Sequence, residues 1–160
     1  MKRFIVLSIV LLMLAGLGIT SSADVVTLYA GQNIDVGTLT VEVDVNGDLV
    51  VTYAITDPEW ELLETHLYVG IDPPTKSAPG RFPYGPEDVV KEGKYVIDLE
   101  GFTGTLYIAA QAEIGMIDEF GNPVLDENNE QIEETTWAEG TQIRTGKNWA
   151  MYFEFTIPSE

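Results

Sequence analysis

Residues 38–56 read TLTVEVDVNGDLVVTYAIT. In the first half of this stretch, apolar side chains alternate with polar ones. A repeat of two residues is typical of a β-strand with one face in the core and the other in water. The stretch therefore predicts a strand over residues 38–45. Its predicted inward face consists of Leu39, Val41, Val43 and Val45.

The dipeptide Asn46-Gly47 directly follows this strand. Asn-Gly is the pair that a tight type I′ turn favours, because both central residues of that turn have a positive φ. The apolar pattern then resumes over residues 49–56, which indicates a return strand. We expect the two strands to form an antiparallel hairpin.

Other segments of the chain show strand-like composition between glycine and proline turns. They are residues 25–30, 65–71, 94–99, 105–114, 131–137 and 148–157. Together with the hairpin they predict an all-β fold, an antiparallel β-sandwich of about seven to nine strands. A closed barrel with a similar number of strands is the alternative. Only residues 58–65 could form a helical turn, and a brief one.

The N-terminus has a composition of its own. Lys2 and Arg3 precede an apolar run of 16 residues, 4–19, and Ser21 and Ala23 provide the small side chains of a cleavage site. This order is typical of a secretory signal peptide. An uncleaved membrane anchor is the alternative, but the run is shorter than the roughly 20 residues that span a bilayer. We therefore predict a signal peptide at residues 1–23 and one domain at residues 24–160, secreted or at the cell surface.

The chain is strongly acidic, with a formal net charge of −18. Without Lys2 and Arg3, six Lys and Arg face 26 Asp and Glu, so the charge becomes −20. Such a charge repels other polyanions, which disfavours nucleic acid as a partner. Carbohydrate or other envelope proteins are the partners that we expect. The chain has no cysteine, which excludes disulfides and thiolate chemistry.

Two long connections interrupt the strand pattern. Residues 73–86 contain five of the eight prolines and predict a rigid, extended surface loop. Residues 115–139 are acidic and contain an eight-residue echo, in which DEFGNPVL at 118–125 is followed by DENNEQIE at 126–133. Two units are too few for a solenoid, so the echo predicts a protruding hairpin.

Carboxylates in this acidic segment could bind calcium, which takes six to eight oxygen ligands. The candidate ligands are Asp118, Asp126, Asn128 and Glu130. The spacing of the last three resembles the start of a helix-loop-helix calcium motif. The sixth and twelfth positions depart from that motif, since they are Gln131 and Trp137 instead of glycine and glutamate. A solvated acidic hairpin without calcium is the alternative.

Aromatic side chains are the other candidate binding groups, because their flat faces stack on sugar rings and anchor protein interfaces. For Trp149 and Phe153, the alternation instead predicts core packing. His66 is the single histidine, and neither Ser77 nor Ser159 lies in a nucleophile elbow, so no catalytic residue is predicted. The candidates for ligand binding are Trp60, Phe82, Tyr84 and Trp137.

Several stretches of the chain carry a family resemblance. They read AGQ at 30–32, DVGT at 35–38, ETHLYVG at 64–70, TLYIAA at 105–110, ETTW at 134–137 and NWAMYF at 148–153. Together they resemble a recurring β-domain of exported and surface-attached proteins in archaea and bacteria. That domain has no established activity, so the resemblance implies a location and a β fold and assigns no catalytic residue. The first two stretches are also similar to exported fibre-forming β-sandwich proteins.

The sequence thus favours a secreted or cell-surface module that binds or assembles without catalysis, in adhesion or in the envelope. A hydrolase of polysaccharides is the enzyme alternative, with paired carboxylates as its catalytic groups. A third alternative is a fibre subunit that exchanges an edge strand with a neighbouring chain, through residues 25–30 or 148–157.

Overall fold

A computed structural model describes residues 23–146 and 148–159. The described part is all-β and antiparallel, as predicted. Its strands are β1 Asp24–Ala30, β2 Ile34–Val43, β3 Leu49–Ile55, β4 Trp60–Gly70, β5 Lys94–Ile97, β6 Thr105–Met116, β7 Glu133–Ala138, β8 Thr141–Gln142 and β9 Met151–Thr156. Two short 3₁₀ turns, Pro79–Arg81 and Pro86–Asp88, interrupt the proline-rich loop. The predicted signal peptide lies, apart from Ala23, outside the described residues.

The strands form one sheet in the order β5-β3-β2-β1-β7-β6-β9-β8, with β4 on the free edge of β6. The long strand β6 organises one half of this sheet. Residues 107–116 of β6 pair with β4 on one side. On its other side, residues 105–108 pair with β9 and residues 111–115 pair with β7.

Strand β1 connects the two halves of the sheet. It pairs with β2 along its whole length, and only its last three residues pair with β7. The β1–β2 register shifts between Leu28 and Tyr29. A bulge of this kind bends a strand and increases its twist. The sheet therefore folds over at β1, and its two halves face each other as the layers of a sandwich.

The main core fills the space between these layers. Leu39, Val41 and Val51 from one half and Leu67 and Ile108 from the other have no solvent exposure. Burying an apolar side chain of this size contributes about 1.5–3 kcal/mol. The alternation read from residues 38–45 thus predicts the core-facing side of β2.

Tyrosine hydroxyls join the layers at the margin opposite β1. The hydroxyl of Tyr53 donates to the carbonyl of His66 at 3.0 Å. The hydroxyl of Tyr95 lies 2.9 Å from the carbonyl of Thr65 and 2.7 Å from its Oγ1. These bonds satisfy polar groups that would be costly to bury unpaired.

The predicted hairpin is present, but its turn differs from the prediction. Gly47 has a φ of +88°, whereas Asn46 keeps a negative φ, so the turn is not type I′. The carboxylate of Asp44 accepts hydrogen bonds from the backbone N–H of Asn46 at 2.8 Å and of Asp48 at 3.1 Å. This side-chain bonding favours a longer loop with a single positive φ.

One smaller expectation was also wrong, and another held only for a single turn. Val45 was predicted to face the core, yet it is 97% exposed, because β2 ends at Val43 and Val45 lies at the tip of the turn. Residues 58–65 begin with a single turn, in which the N–H of Trp60 donates to the carbonyl of Asp57 at 3.2 Å, and then enter β4 at Trp60. Pairing with β6 satisfies the backbone there and overrides the local preference.

Candidate functional site

The outer face of the β4-β6-β7-β9 half carries the candidate site. Alternate residues of β6, such as Leu106 and Ile108, point into the main core. The residues between them therefore point to the outer face. Those residues are Tyr107, Ala109, Gln111, Glu113 and Gly115.

The proline-rich loop covers part of this outer face through Phe82. The ring of Phe82 lies 6.0 Å from the ring of Tyr68 on β4 and 6.0 Å from the ring of Trp137 on β7. Ala109 of β6 pairs with Tyr68 and has no solvent exposure. Its small side chain leaves room between the flanking strands, so Phe82 anchors the loop at this point.

A second segment, whose described residues are 143–146 and 148–150, packs beside the loop. The side-chain amide of Asn148 donates to Oγ of Ser77 at 2.7 Å, and Nε of Arg144 donates to the carbonyl of Thr75 at 3.1 Å. Ala150 is buried together with Ala109 and Trp137 in a second apolar cluster, separate from the main core. The loop and the segment therefore form one layer over the outer face.

Between this layer and the sheet lies an open pocket of about 270 Å³. Trp137 forms its floor, since it is only 4% exposed. Trp149 is half-buried and supplies the accessible aromatic surface. The main lining residues are Ser77, Glu113, Thr135, Trp137, Asn148 and Trp149.

Glu113 is held rigidly at the wall of this pocket. The hydroxyl of Thr135 lies 3.1 Å from both of its carboxylate oxygens, and the amide of Gln111 donates to one of them at 2.5 Å. Burial raises the pKa of Glu113, the two hydrogen bonds oppose this effect, and the charges of Glu133 and Glu64 add to it. The pocket thus presents a fixed acceptor for ligand hydroxyl groups.

Gln111 lies beneath this acceptor and is 1% exposed. Its Nε2 is used by Glu113, while its Oε1 has no hydrogen-bond donor among the described residues. An unpaired buried acceptor costs about 1–3 kcal/mol. An apolar side chain at position 111 would avoid this cost of an unpaired acceptor, yet the residue there is a glutamine.

His66 and Glu64 extend the same polar surface on β4. They lie opposite Gln111 and Glu113 in the β4–β6 ladder. Nε2 of His66 is 2.6 Å from the carboxylate of Glu64, the one close contact between a basic and an acidic side chain within residues 23–146 and 148–159. The histidine therefore has a structural partner on its own strand.

The four aromatic candidates divide between two places. Phe82 and Trp137 meet on the outer face, in the second apolar cluster. Trp60 and Tyr84 instead pack against the main core, and Tyr84 bonds through its backbone to Leu67. The pocket also uses Trp149, which the alternation had assigned to the core.

None of the four polar residues that line the pocket, Ser77, Glu113, Thr135 and Asn148, was predicted as a site residue. Glu113 could have been recognised from the sequence. Gln111 and Glu113 are two residues apart in the mostly apolar segment 105–114, so a strand places both polar side chains on the same face. Asn148 had no comparable signal, since its role depends on a contact with Ser77, 71 residues away.

The acidic segment forms two consecutive turns of the same kind. Oδ1 of Asp118 accepts from the N–H of Phe120 and of Asn122, at 2.9 and 2.8 Å. Oδ1 of Asp126 accepts from the N–H of Asn128 and of Glu130, at 2.8 and 3.0 Å. These turns are the structural origin of the eight-residue echo.

The same contacts change the acidity of both aspartates. Bonds from the backbone N–H groups, with that of Asn122 largest, lower the pKa of Asp118. The backbone of Glu130 has the largest effect in lowering the pKa of Asp126. Both carboxylates therefore stabilise their own turns. In the described part of the chain, no three His, Cys, Asp or Glu residues are grouped as metal ligands, and the calcium site remains a prediction.

Comparisons with protein-family models, with curated proteins and with solved structures gave no match. Over the described ranges, no helix has the length and apolar character needed to cross a bilayer.

Proposed function

We propose that the chain is an exported, non-catalytic module that binds carbohydrate in the pocket between Trp137 and Trp149. The observation that supports this most is the chemistry of the pocket wall. A half-buried indole lies beside a carboxylate that two neighbours hold in place and beside the amide of Asn148.

Sugars require this combination of groups. Their C–H faces stack on aromatic rings, and their hydroxyl groups bond to carboxylates and amides. Pockets for drug-sized ligands measure about 300–1,000 Å³. A pocket of about 270 Å³ suits a single sugar ring, with the rest of a glycan outside.

Export supports the same conclusion. The N-terminal sequence has the order of a signal peptide, and a charge of −20 keeps a secreted domain soluble. A module at the cell surface meets glycans of the envelope and of neighbouring cells. Binding such glycans would give the adhesive or envelope-associated role that the sequence favours.

The test is retention by polymeric glycans in native affinity electrophoresis, with the protein lacking residues 1–23. We expect a set of glycans to retard the wild type and Trp149→Ala to weaken retention by about tenfold or more, because the accessible stacking surface is lost. Phe120→Ala is the matched control. It removes an aromatic ring that is 80% exposed on the acidic hairpin, and it should leave retention unchanged.

Three outcomes contradict the proposal. Equal loss in the two variants would place binding elsewhere or show that it is non-specific. Retention of the wild type by no glycan would remove carbohydrate as the ligand class. Release of new reducing ends from a retained glycan would indicate a hydrolase, and Glu113→Gln would then be the first variant to assay.

A further inference from the structure

Three of the six bases in residues 24–160 come together at one recess, although that part of the chain contains 26 acids. Lys76 and Arg81 reach it from the proline-rich loop, and Arg144 reaches it from the segment 143–150. The recess has a volume of about 220 Å³, and Ser77 and Ala78 complete its wall. Nothing in the sequence pattern groups these bases, because Arg144 is 63 residues from Arg81.

None of the three bases has a carboxylate partner. Within the described residues, the one close contact between a basic and an acidic side chain is that of His66 and Glu64, and no Asp or Glu lines the recess. Asp72 lines an adjoining pocket with Lys76 and Arg81, but it forms no salt bridge with either base.

The contacts of Arg144 orient its charge. Its Nε donates to the carbonyl of Thr75, which fixes the plane of the guanidinium group against the loop. A guanidinium fixed in this way presents its other N–H groups as a fork that matches a carboxylate, sulfate or phosphate. The recess thus offers positive charge and hydrogen-bond donors to an anionic group.

This recess adjoins the proposed glycan pocket. Ser77 lines both, and it accepts the hydrogen bond from Asn148 that joins the loop to the neighbouring segment. Glu113 lies on the pocket side, away from the basic wall. A ligand that spans both would direct its hydroxyl groups towards Glu113 and its negative charge towards Arg81 and Arg144.

We infer that the ligand is an acidic sugar, whose anionic substituent occupies the recess of Lys76, Arg81 and Arg144 while its ring lies against Trp149. This inference rests on the proposed function and specifies its ligand class. The net charge of the protein does not prevent such binding, since charges farther than about 8 Å away are largely screened at physiological ionic strength. A short anionic oligosaccharide fits better than a long polyanion, which the remaining surface repels.

The test compares oligosaccharides of the same length that differ in their anionic groups. Trimers of galacturonic acid and the same trimers as methyl esters are titrated by calorimetry against the wild type, Arg81→Gln and Lys91→Gln. Lys91→Gln removes an equal charge from an exposed position outside the recess, and so serves as the control. The third ligand is a trimer of a neutral sugar that carries a sulfate ester. It distinguishes a sulfate from a carboxylate as the bound group.

We expect the wild type and Lys91→Gln to bind the anionic trimers about tenfold or more tightly than the ester. Arg81→Gln should reduce this preference at least severalfold without changing affinity for the ester. Raising the salt concentration should weaken binding of the anionic trimers alone.

Equal affinity for the acid, the sulfated trimer and the ester would overturn the inference and leave the proposed function intact. Binding of none of them, together with no retention by other glycans, would overturn both. A change in oligomeric state on Arg81→Gln, with glycan binding unaltered, would also overturn the inference and assign the recess to contacts between copies of the chain.

Discussion

The two long connections of this protein behave in opposite ways. The proline-rich loop, residues 73–86, returns to the sheet, and Phe82 is packed between two other rings. The acidic hairpin, residues 117–132, is built mainly from its own turns and leaves Phe120 80% exposed. The loop is held mainly by tertiary contacts, whereas the hairpin is held mainly by bonds within itself, with Gln131 also donating to Glu61 on β4 at 2.9 Å.

This difference explains where a binding site can form. A loop held by distant residues brings together groups that are far apart in sequence, such as Ser77 and Asn148. A hairpin held by local bonds has already used its best acceptors, such as Oδ1 of Asp118, within its own turns. A segment with many residues of one type, such as the acidic hairpin, is therefore a weaker guide to a binding site than a segment held by tertiary contacts.

The largest expected effect is on the free energy of unfolding, when one aromatic ring is removed from the proline-rich loop and one from the acidic hairpin. Phe82→Ala should lower the free energy of unfolding by about 2 kcal/mol, because it empties a half-buried position between Tyr68 and Trp137. Phe120→Ala should change it by less than about 0.5 kcal/mol. Urea denaturation followed by tryptophan fluorescence measures both. Equal effects of the two substitutions would contradict the division into an anchored loop and an independent hairpin.

A smaller effect is expected at Glu113, whose pKa is raised mainly by burial. Because the pKa of Glu113 is raised in the folded state, this group favours folding at pH values below its unfolded pKa, near 4.5. That contribution is lost as the pH rises through the pKa of the folded state. Glu113→Gln removes the buried charge, and rotation of the Gln111 amide would let its unpaired Oε1 accept from the new amide.

Glu113→Gln should therefore stabilise the protein at neutral pH, by less than about 1 kcal/mol because solvent screens the partly exposed group. The gain should disappear below about pH 4.5. Melting temperatures across this pH range measure it. Glu127→Gln on the exposed hairpin is the control, and a gain of the same size there would remove burial as the cause.

The hairpin should respond to pH with the opposite sign. Backbone N–H groups lower the pKa values of Asp118 and Asp126, so their stabilising contribution is present above the unfolded value of 3.8 and is lost as the pH falls through the folded values. Carboxyl-carbon NMR titration should give midpoints below 3.8 for both residues and above 4.5 for Glu113. Midpoints in the reverse order would contradict the structural assignment of these carboxylates.

The smallest effect is expected from calcium. Asp118 and Asp126 each bond to a separate turn, so a shared ion would have only their remaining oxygens and neighbouring groups such as Asn128 and Glu130. Calcium at about 1 mM in low salt should then raise the melting temperature by about 1–3 °C and slow amide exchange in residues 117–132. Asp126→Asn should abolish the response. If calcium changes neither quantity in the wild type, the predicted site does not exist.

Much of the fold could be predicted from local patterns. The alternation in residues 38–45 predicts the core side of β2, and residues 131–137 predict β7 within two residues. The ends of strands were less well predicted where a side-chain hydrogen bond or pairing with another strand determined them. The carboxylate of Asp44 changed the turn and exposed Val45, and pairing with β6 extended β4 to Trp60.

The candidate site was predicted only in part. Phe82 and Trp137 were named from their chemistry, but Trp60 and Tyr84 share that chemistry and lie on the main core. What distinguishes the pairs is which face of the sheet each residue reaches. That depends on the register of β6 with its neighbours, and residue type carries no information about it.

The sequence by itself determined most of the secondary structure, the two-sided strands and the acidic turns, because a period of two and Asp-to-backbone bonds act between residues close in the chain. Only the tertiary structure decided that three bases meet at one recess and that Trp149 lies beside Glu113. These positions follow from β7 and β9 pairing with successive parts of β6 and from Phe82 anchoring the loop above them. Such contacts join residues far apart in the chain, and each depends on all the others being in place.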